Sequence, residues 1–375
     1  DEVVKVLRSD FLTQGPAVVA FEKDIAEKVS ARFSIAFNSA TSALHVACKA
    51  LNVEEQDIVW TSPISFVASA NCARYLGAKI DFVDIDIATG LISVEELTKK
   101  LEQAKKSDSL PKALIAVHLA GASCNMEAIR KLSLKYNFSV IEDASHAIGG
   151  KYQGDYVGCC KYSDVTVFSF HPVKIITSGE GGIAVTNDSS IENTMRKLCS
   201  HGIEKNNEKF IYKTTKPWIY EQQLLGYNYR MTDIHAALGS SQLKKVDRFI
   251  QKRHQIYEIY REELQNKYIR FLEIERDVYS SLHLAVILLE STLTNNHEKI
   301  FNYLRSCGVG VQLHYSPIHL QPYYRDLGFK EGDFPRSEIY SNTAISIPIY
   351  PGLQRQEQSF ICEKILSGIT QFYDK

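Results

Sequence analysis

The sequence carries no excess charge of either sign: 43 Lys and Arg stand against 44 Asp and Glu, and no basic tract stands out. That balance argues against a surface dedicated to nucleic acid or to an anionic membrane. No apolar stretch approaches the roughly 18–20 residues of a membrane span. The eight cysteines (Cys48, Cys72, Cys124, Cys159, Cys160, Cys199, Cys307 and Cys362) form no Cys-x-x-Cys pair. The adjacent Cys159 and Cys160 suit neither zinc nor a disulfide framework. Most cysteines have apolar or small neighbours, as Cys48 does in His45-Val46-Ala47-Cys48-Lys49-Ala50, where a free thiol packs as a small hydrophobe. A reducing cytoplasm is the expected compartment. Repeats, low-complexity segments and a signal-peptide pattern are also lacking, and the chain opens at Asp1 without an initiator Met.

What is present is a chain of 375 residues, long enough for a large core and two domains. From about residue 34 to 200, short β-branched runs alternate with amphipathic segments. Strands are expected at 34–37, 57–60, 79–84, 113–117, 138–142, 165–170 and 182–186, with helices at 40–51, 67–76, 93–101 and 126–136. Ser93 and Glu96 have the spacing of a capping box, and Thr232 is placed to cap a helix starting at Ile234. Strand–helix–strand alternation of this kind means an α/β fold with a largely parallel sheet covered on both faces. A helix over 244–264 reads as the bridge to a smaller α+β domain, with strands at 282–289 and 344–349 and a helix at 296–307. The expected division is therefore 1–243 and 244–375.

Ligands of such sheets gather beyond the strands' carboxyl ends. There lies Asp143, closing the run Val140-Ile141-Glu142-Asp143-Ala144-Ser145-His146-Ala147. Farther along, Ser169-Phe170-His171-Pro172-Val173-Lys174 leads into Gly179-Glu180-Gly181-Gly182. A lysine on a glycine-rich loop and an aspartate at a strand end are what pyridoxal phosphate (PLP) chemistry needs. The amine condenses with the aldehyde, and the carboxylate keeps the pyridine nitrogen protonated. Each residue also has a plain reading: Lys174 as a solvated charge, Asp143 as a turn or helix cap, His146 as a structural histidine. Asn38-Ser39-Ala40-Thr41-Ser42-Ala43 marks a strand-to-helix turn, which serves as a phosphate site or simply as a Ser/Thr cap. Ser169 has the same standing. Phe66 fits either the core or the face of a flat ring. His314 and Tyr315 fit substrate contact or structure, and the loop 218–223 fits a lid, a subunit contact or plain surface.

Taken in order and spacing, 38–44, 61–68, 118–121, 141–147, 169–174 with 179–182, and 226–233 resemble the DegT/StrS-like sugar aminotransferases of PLP fold type I. The resemblance implies an aspartate-aminotransferase-like fold with a mostly parallel seven-stranded sheet sandwiched by helices. It implies pyridoxal 5′-phosphate as an imine on Lys174, with pyridoxamine phosphate as the intermediate form. Asp143 would face the ring nitrogen, His146 the phenolic oxygen, and Phe66 the ring. Ala40, Thr41 and Ser169 would hold the phosphate, joined by Asn228 from the partner subunit of a homodimer with shared sites. A related dehydrating branch has histidine in place of the lysine, so Lys174 favours amino transfer. Segments 10–16 and 218–233 look most like the branch acting in pseudaminic-acid biosynthesis, which aminates C4 of a UDP-linked 4-keto-6-deoxy-N-acetylhexosamine with L-glutamate as donor. The segment 1–16 is expected to pack at the active site, and Arg230, Lys213, His314 and Tyr315 to touch substrate. Rival readings are an aminotransferase for another nucleotide-linked 4-keto sugar, a PLP-dependent sugar dehydratase, and a non-catalytic regulator on the same fold.

Overall fold

The computed structural model describes residues 1–214 and 216–373. Two helices, α1 (Glu2–Leu7) and α2 (Pro16–Val29), precede the first strand, β1 (Phe33–Phe37). The alternation then runs α3 (Ala40–Ala50), β2 (Ile58–Thr61), α4 (Ala68–Arg74), β3 (Lys79–Phe82), α5 (Val94–Lys106), β4 (Ala113–Val117), α6 (Met126–Tyr136) and β5 (Ser139–Asp143). A small hairpin, β6 (Lys151–Tyr152) and β7 (Asp155–Tyr156), separates it from β8 (Val165–Ser169), β9 (Gly182–Thr186) and α7 (Ser189–Cys199).

The central sheet has seven strands in the order β1-β9-β8-β5-β4-β2-β3. Strand β9 runs antiparallel to β1 and β8, and the remaining neighbours pair in parallel. Every residue of β4 and β8 is buried, because helices cover both faces and a two-sided apolar run is then required. Leu44, Val46, Ala47 and Cys48 of α3 pack one face against Phe37, Ile115, Ile141 and Val167. Phe21 and Ile25 of α2 pack the other against Phe168, Ile183 and Val185. Six of the eight cysteines are buried as free thiols, and Cys48 and Cys72 lie with sulfurs 3.8 Å apart.

Beyond α7, the two-residue strands β10 (Ile203–Glu204) and β11 (Glu221–Gln222) close a long loop. Helices α8 (Asp233–Leu243) and α9 (Val246–Glu263) follow, then β12 (Ile269–Phe271), β13 (Val278–Tyr279) and β14 (Ala285–Leu289). The chain ends through α10 (His297–Ser306), α11 (Pro322–Arg325), α12 (Pro335–Ser341), β15 (Ala344–Ile347) and α13 (Arg355–Tyr373). Strands β12, β14 and β15 form a second, antiparallel sheet. Its core, with Tyr260, Ile287, Ile345 and Ile365, is separate from those of the large sheet.

The expected caps are in place: Ser93 Oγ accepts from Glu96 N at 3.3 Å and Thr232 Oγ1 from His235 N at 3.3 Å. Several expected strands are shorter, and the one drawn over 79–84 ends at Phe82. The one drawn over 282–289 starts only at Ala285, because Ser281 N and Leu284 N donate to Gly121 O and Ala120 O. Those groups serve a loop crossing instead of a ladder. The one drawn over 344–349 stops at Ile347, since Pro348 has no N–H to offer. Among the described residues, no helix is long and apolar enough to cross a membrane.

Candidate active site

Parallel pairing of β4, β5 and β8, with β1 running the same way across the antiparallel β9, brings their carboxyl ends to one rim, and a cavity of about 260 Å³ opens there. Ala40, Thr41, Phe66, Asp143, His146, Ser169, Lys174 and Tyr315 all line it. Eight residues singled out from sequence thus converge, although they come from segments as distant as α3 and the turn before α11.

Asp143 ends β5 and is buried. Its Oδ2 accepts from Ser69 Oγ at 2.6 Å, and its Oδ1 from Ser145 Oγ at 2.6 Å and Ser145 N at 3.2 Å. Donors on both oxygens fix the carboxylate's orientation. The preceding residue, Glu142, points to the other face, where His118 Nε2 donates to it at 2.7 Å. His118 Nδ1 accepts from Cys124 N, so Nε2 is the ring's donor. Ser163 and Thr166 hydroxyls complete the set around Glu142. The end of β5 is thereby fixed on both sides of the sheet.

Lys174 sits in a turn, its N donating to His171 O at 2.9 Å. Burial lowers its amine from 10.5 to about 8, with Asp143 opposing that shift. His146 is held well below 6.5 by burial, and further by Lys174, His283 and His314, so its imidazole is neutral. Its Nε2 lies 3.2 Å from Tyr315 Oη, while its buried Nδ1 has no partner. Phe66, 58% exposed, flanks the opening 6.3 Å from the Tyr315 ring. That is a large apolar ring left open where a flat ligand would cover it.

At the opposite end, α3 begins with Ser39 Oγ accepting from Ser42 N. The first N–H groups of a helix have no intrahelical acceptor and favour anions. Gly182 of β9 crosses directly over this turn; a Cβ there would lie 2.3 Å from Ala40 N. Only glycine lets the strand approach so closely. A cavity with an anion-seeking helix start at one end, a carboxylate at the other, aromatic walls and a lowered lysine amine fits pyridoxal phosphate.

The remaining candidates lie elsewhere. His314 borders an adjoining cavity, with Nδ1 2.9 Å from Ser346 Oγ. Arg230 donates to Ser200 Oγ at 3.0 Å, and Asn228, exposed, bridges to Ser200. Lys213 is exposed on the loop between β10 and β11, its Nζ 3.3 Å from Glu208 O. None of these three lines either cavity within its own chain. The segment 1–16 is likewise absent from both cavities; it docks on the start of α8, where Asp233 accepts from Gly15 N and Ala17 N at 2.8 Å each. Sequence reasoning missed Ser69, Ser145, His283 and Arg253. Ser69 Oγ lies 2.6 Å from Ser65 Oγ, but Ser65 sits in the bend ahead of α4, so no helical spacing announced the pair.

The chain belongs to the DegT/DnrJ/EryC1/StrS aminotransferase family, which it matches over residues 1–366. It is 37% identical to the UDP-4-amino-4,6-dideoxy-N-acetyl-beta-L-altrosamine transaminase of Campylobacter jejuni, over 98% of this chain and 93% of that protein. Its fold is similar to that of Helicobacter pylori PseC, an aminotransferase involved in pseudaminic acid biosynthesis, with a TM-score of 0.90 and 33% identity covering 99% and 96% of the two chains. A sugar aminotransferase structure from Streptococcus pneumoniae, solved in a PMP-form, matches with a TM-score of 0.89 and 26% identity over 99% and 95%.

Proposed function

We propose that this protein is a PLP-dependent sugar aminotransferase that moves the amino group of L-glutamate to C4 of a UDP-linked 4-keto-6-deoxy-N-acetylhexosamine, as in pseudaminic-acid biosynthesis. The observation that carries the reading is Lys174 and Asp143 lining one cavity, the amine lowered to about 8 and the carboxylate held by two hydroxyls. The Campylobacter and Helicobacter relatives support the choice of sugar.

When bound, the cofactor supplies an aldehyde that condenses with amines and a ring that accepts electrons from the bond being broken. Lys174 Nζ accepts the proton leaving the donor's α-carbon and, in the return half, delivers one to C4 of the sugar. A lowered amine suits both tasks, because it exists in either protonation state near neutral pH. Asp143 would face the pyridine nitrogen, with Ser69 and Ser145 holding the carboxylate in place. Ala40, Thr41 and Ser169 hold the phosphate, with Asn228 of the partner subunit; its exposed position here is what such a role needs. Phe66 covers one ring face, and neutral His146 offers its unpaired Nδ1 to the cofactor's rim. His314 and Tyr315, with Arg230 and Lys213 near the subunit boundary, contact the nucleotide sugar. In this reading residues 1–243 form the cofactor domain and 244–375 the smaller one, with α9 as the bridge.

The test is incubation with L-glutamate and a panel of UDP- and TDP-linked 4-keto sugars, with products read by mass spectrometry. Expected are bleaching of the cofactor's visible absorbance by glutamate and amination of the UDP-linked N-acetylhexosamine. Absorbance indifferent to glutamate would sink amino transfer itself; preference for a TDP sugar would sink the assigned acceptor.

A further inference from the structure

Lys174 also borders a second cavity, of about 620 Å³, lined in addition by Arg253, His283, Gln312, His314 and Tyr350. No aspartate or glutamate lines it. Arg253, on α9, is 4% exposed. Its Nη1 donates to three carbonyls, of Leu282 at 3.2 Å, His283 at 3.1 Å and Ile349 at 2.9 Å. Its buried Nε has no acceptor, and among the described residues Nη2 has none and no carboxylate pairs with the guanidinium. A buried cation without a counter-charge is costly, and burial accordingly lowers this one to about 10. His283 joins the two cations. Its ring lies 4.3 Å from His146, and burial first, then Lys174 and Arg253, hold it well below 6.5. The histidines here are therefore neutral, and the cavity's charge is that of Lys174 and Arg253 alone.

We infer that this cavity is the seat of the amino donor, with Arg253 binding one of its carboxylates while the donor's nitrogen lies at Lys174. The inference rests on the amino-transfer reading above. With Nη1 tied to carbonyls and Nε enclosed, Nη2 is left as the charged donor that a carboxylate in this cavity would meet. The nucleotide's diphosphate shares that anionic chemistry, but only one cation besides Lys174 faces this cavity.

Glutarate, which has both carboxylates and no amine, tests the seat on the holoenzyme by calorimetry, apart from any turnover. Arg253→Gln should weaken glutarate about tenfold or more, and Arg253→Lys, keeping the charge, by less. The two half-reactions, followed separately by absorbance, should split: half-saturation by glutamate rises about tenfold or more, while that by the keto sugar stays within about twofold. Unchanged glutarate affinity overturns the inference. Equal losses in both halves overturn it too, by making Arg253 a structural tie, and loss in the sugar half alone gives the seat to the diphosphate. On the unaltered enzyme, L-alanine and 4-aminobutyrate each lack one carboxylate; if both serve as well as glutamate, the seat does not exist. Should no sugar be aminated while glutamate still bleaches the cofactor and glutarate binding depends on Arg253, the assigned acceptor fails and the donor seat stands.

Discussion

The two walls that meet at Lys174 are built by different means. The sheet wall takes Asp143 and Ser169 from the ends of β5 and β8, which a parallel ladder fixes to each other, and Ala40 and Thr41 from the first turn of α3. The opposite wall takes Arg253 from a helix, His283 from the connection before β14, and the neighbours His314 and Tyr315 from the connection after α10. Polar groups differ accordingly. Asp143 and Glu142 have hydroxyl or imidazole donors on every side, whereas Arg253 Nε and His283 Nδ1 are buried and unpaired. A satisfied wall is rigid in itself; an unsatisfied one is completed by what binds to it.

If that contrast is right, changes in the sheet wall should abolish chemistry before they alter selectivity. The largest effect belongs to Lys174→Ala. Turnover should fall at least 10²–10⁴-fold, the contribution of a positioned acid–base group, with the circular dichroism spectrum unchanged. Amino transfer at a normal rate would remove Lys174 from its role. Asp143→Ala comes next, with loss of the cofactor's visible absorbance and on the order of 10²-fold in rate; wild-type rates would separate Asp143 from the ring nitrogen. Gly182→Ala drives a methyl against Ala40 N, so stability should drop by about 1–3 kcal/mol and cofactor affinity with it. Thermal melts with a cofactor titration check both, and unchanged affinity would detach the α3 turn from the phosphate. The mildest test is pH. Free amine is the reactive form, and burial brings it in as pH rises through about 8 instead of 10.5. Capture of pyridoxal phosphate by cofactor-free protein should therefore rise with a midpoint near 8. A midpoint near 10.5 would mean a solvated lysine.

The same contrast explains what could be read from sequence. The sheet wall is local: Val140–Asp143 and Ser169–Lys174 each carry a strand and its chemistry within a few residues, so pattern and motif coincide. Arg253 gave no such sign. In Phe249-Ile250-Gln251-Lys252-Arg253-His254 it reads as one basic residue of an amphipathic helix, and its burial depends on carbonyls at Leu282 and Ile349. Ser145 hid in plain view beside Asp143. The late start of β14 was illegible for a similar reason, since the backbone of Ser281 and Leu284 is engaged by a loop more than a hundred residues earlier. A role proposed across a subunit boundary leaves no such mark, and Asn228 and Lys213 are simply exposed.

Asp233 reaches back across 218 positions to the N–H of Gly15 and also takes those of Ala17 and Val18, the free donors at the start of α2. Helix α2 has no cap of its own, since Gly15 has no side chain to supply one. On a ribosome that helix must therefore wait, its first turn unsatisfied, until the middle of the chain has emerged. Early steps in assembly of this protein are consequently tied to late translation, and a tag or truncation at the amino terminus would disturb the opening of α8 as much as its own surroundings.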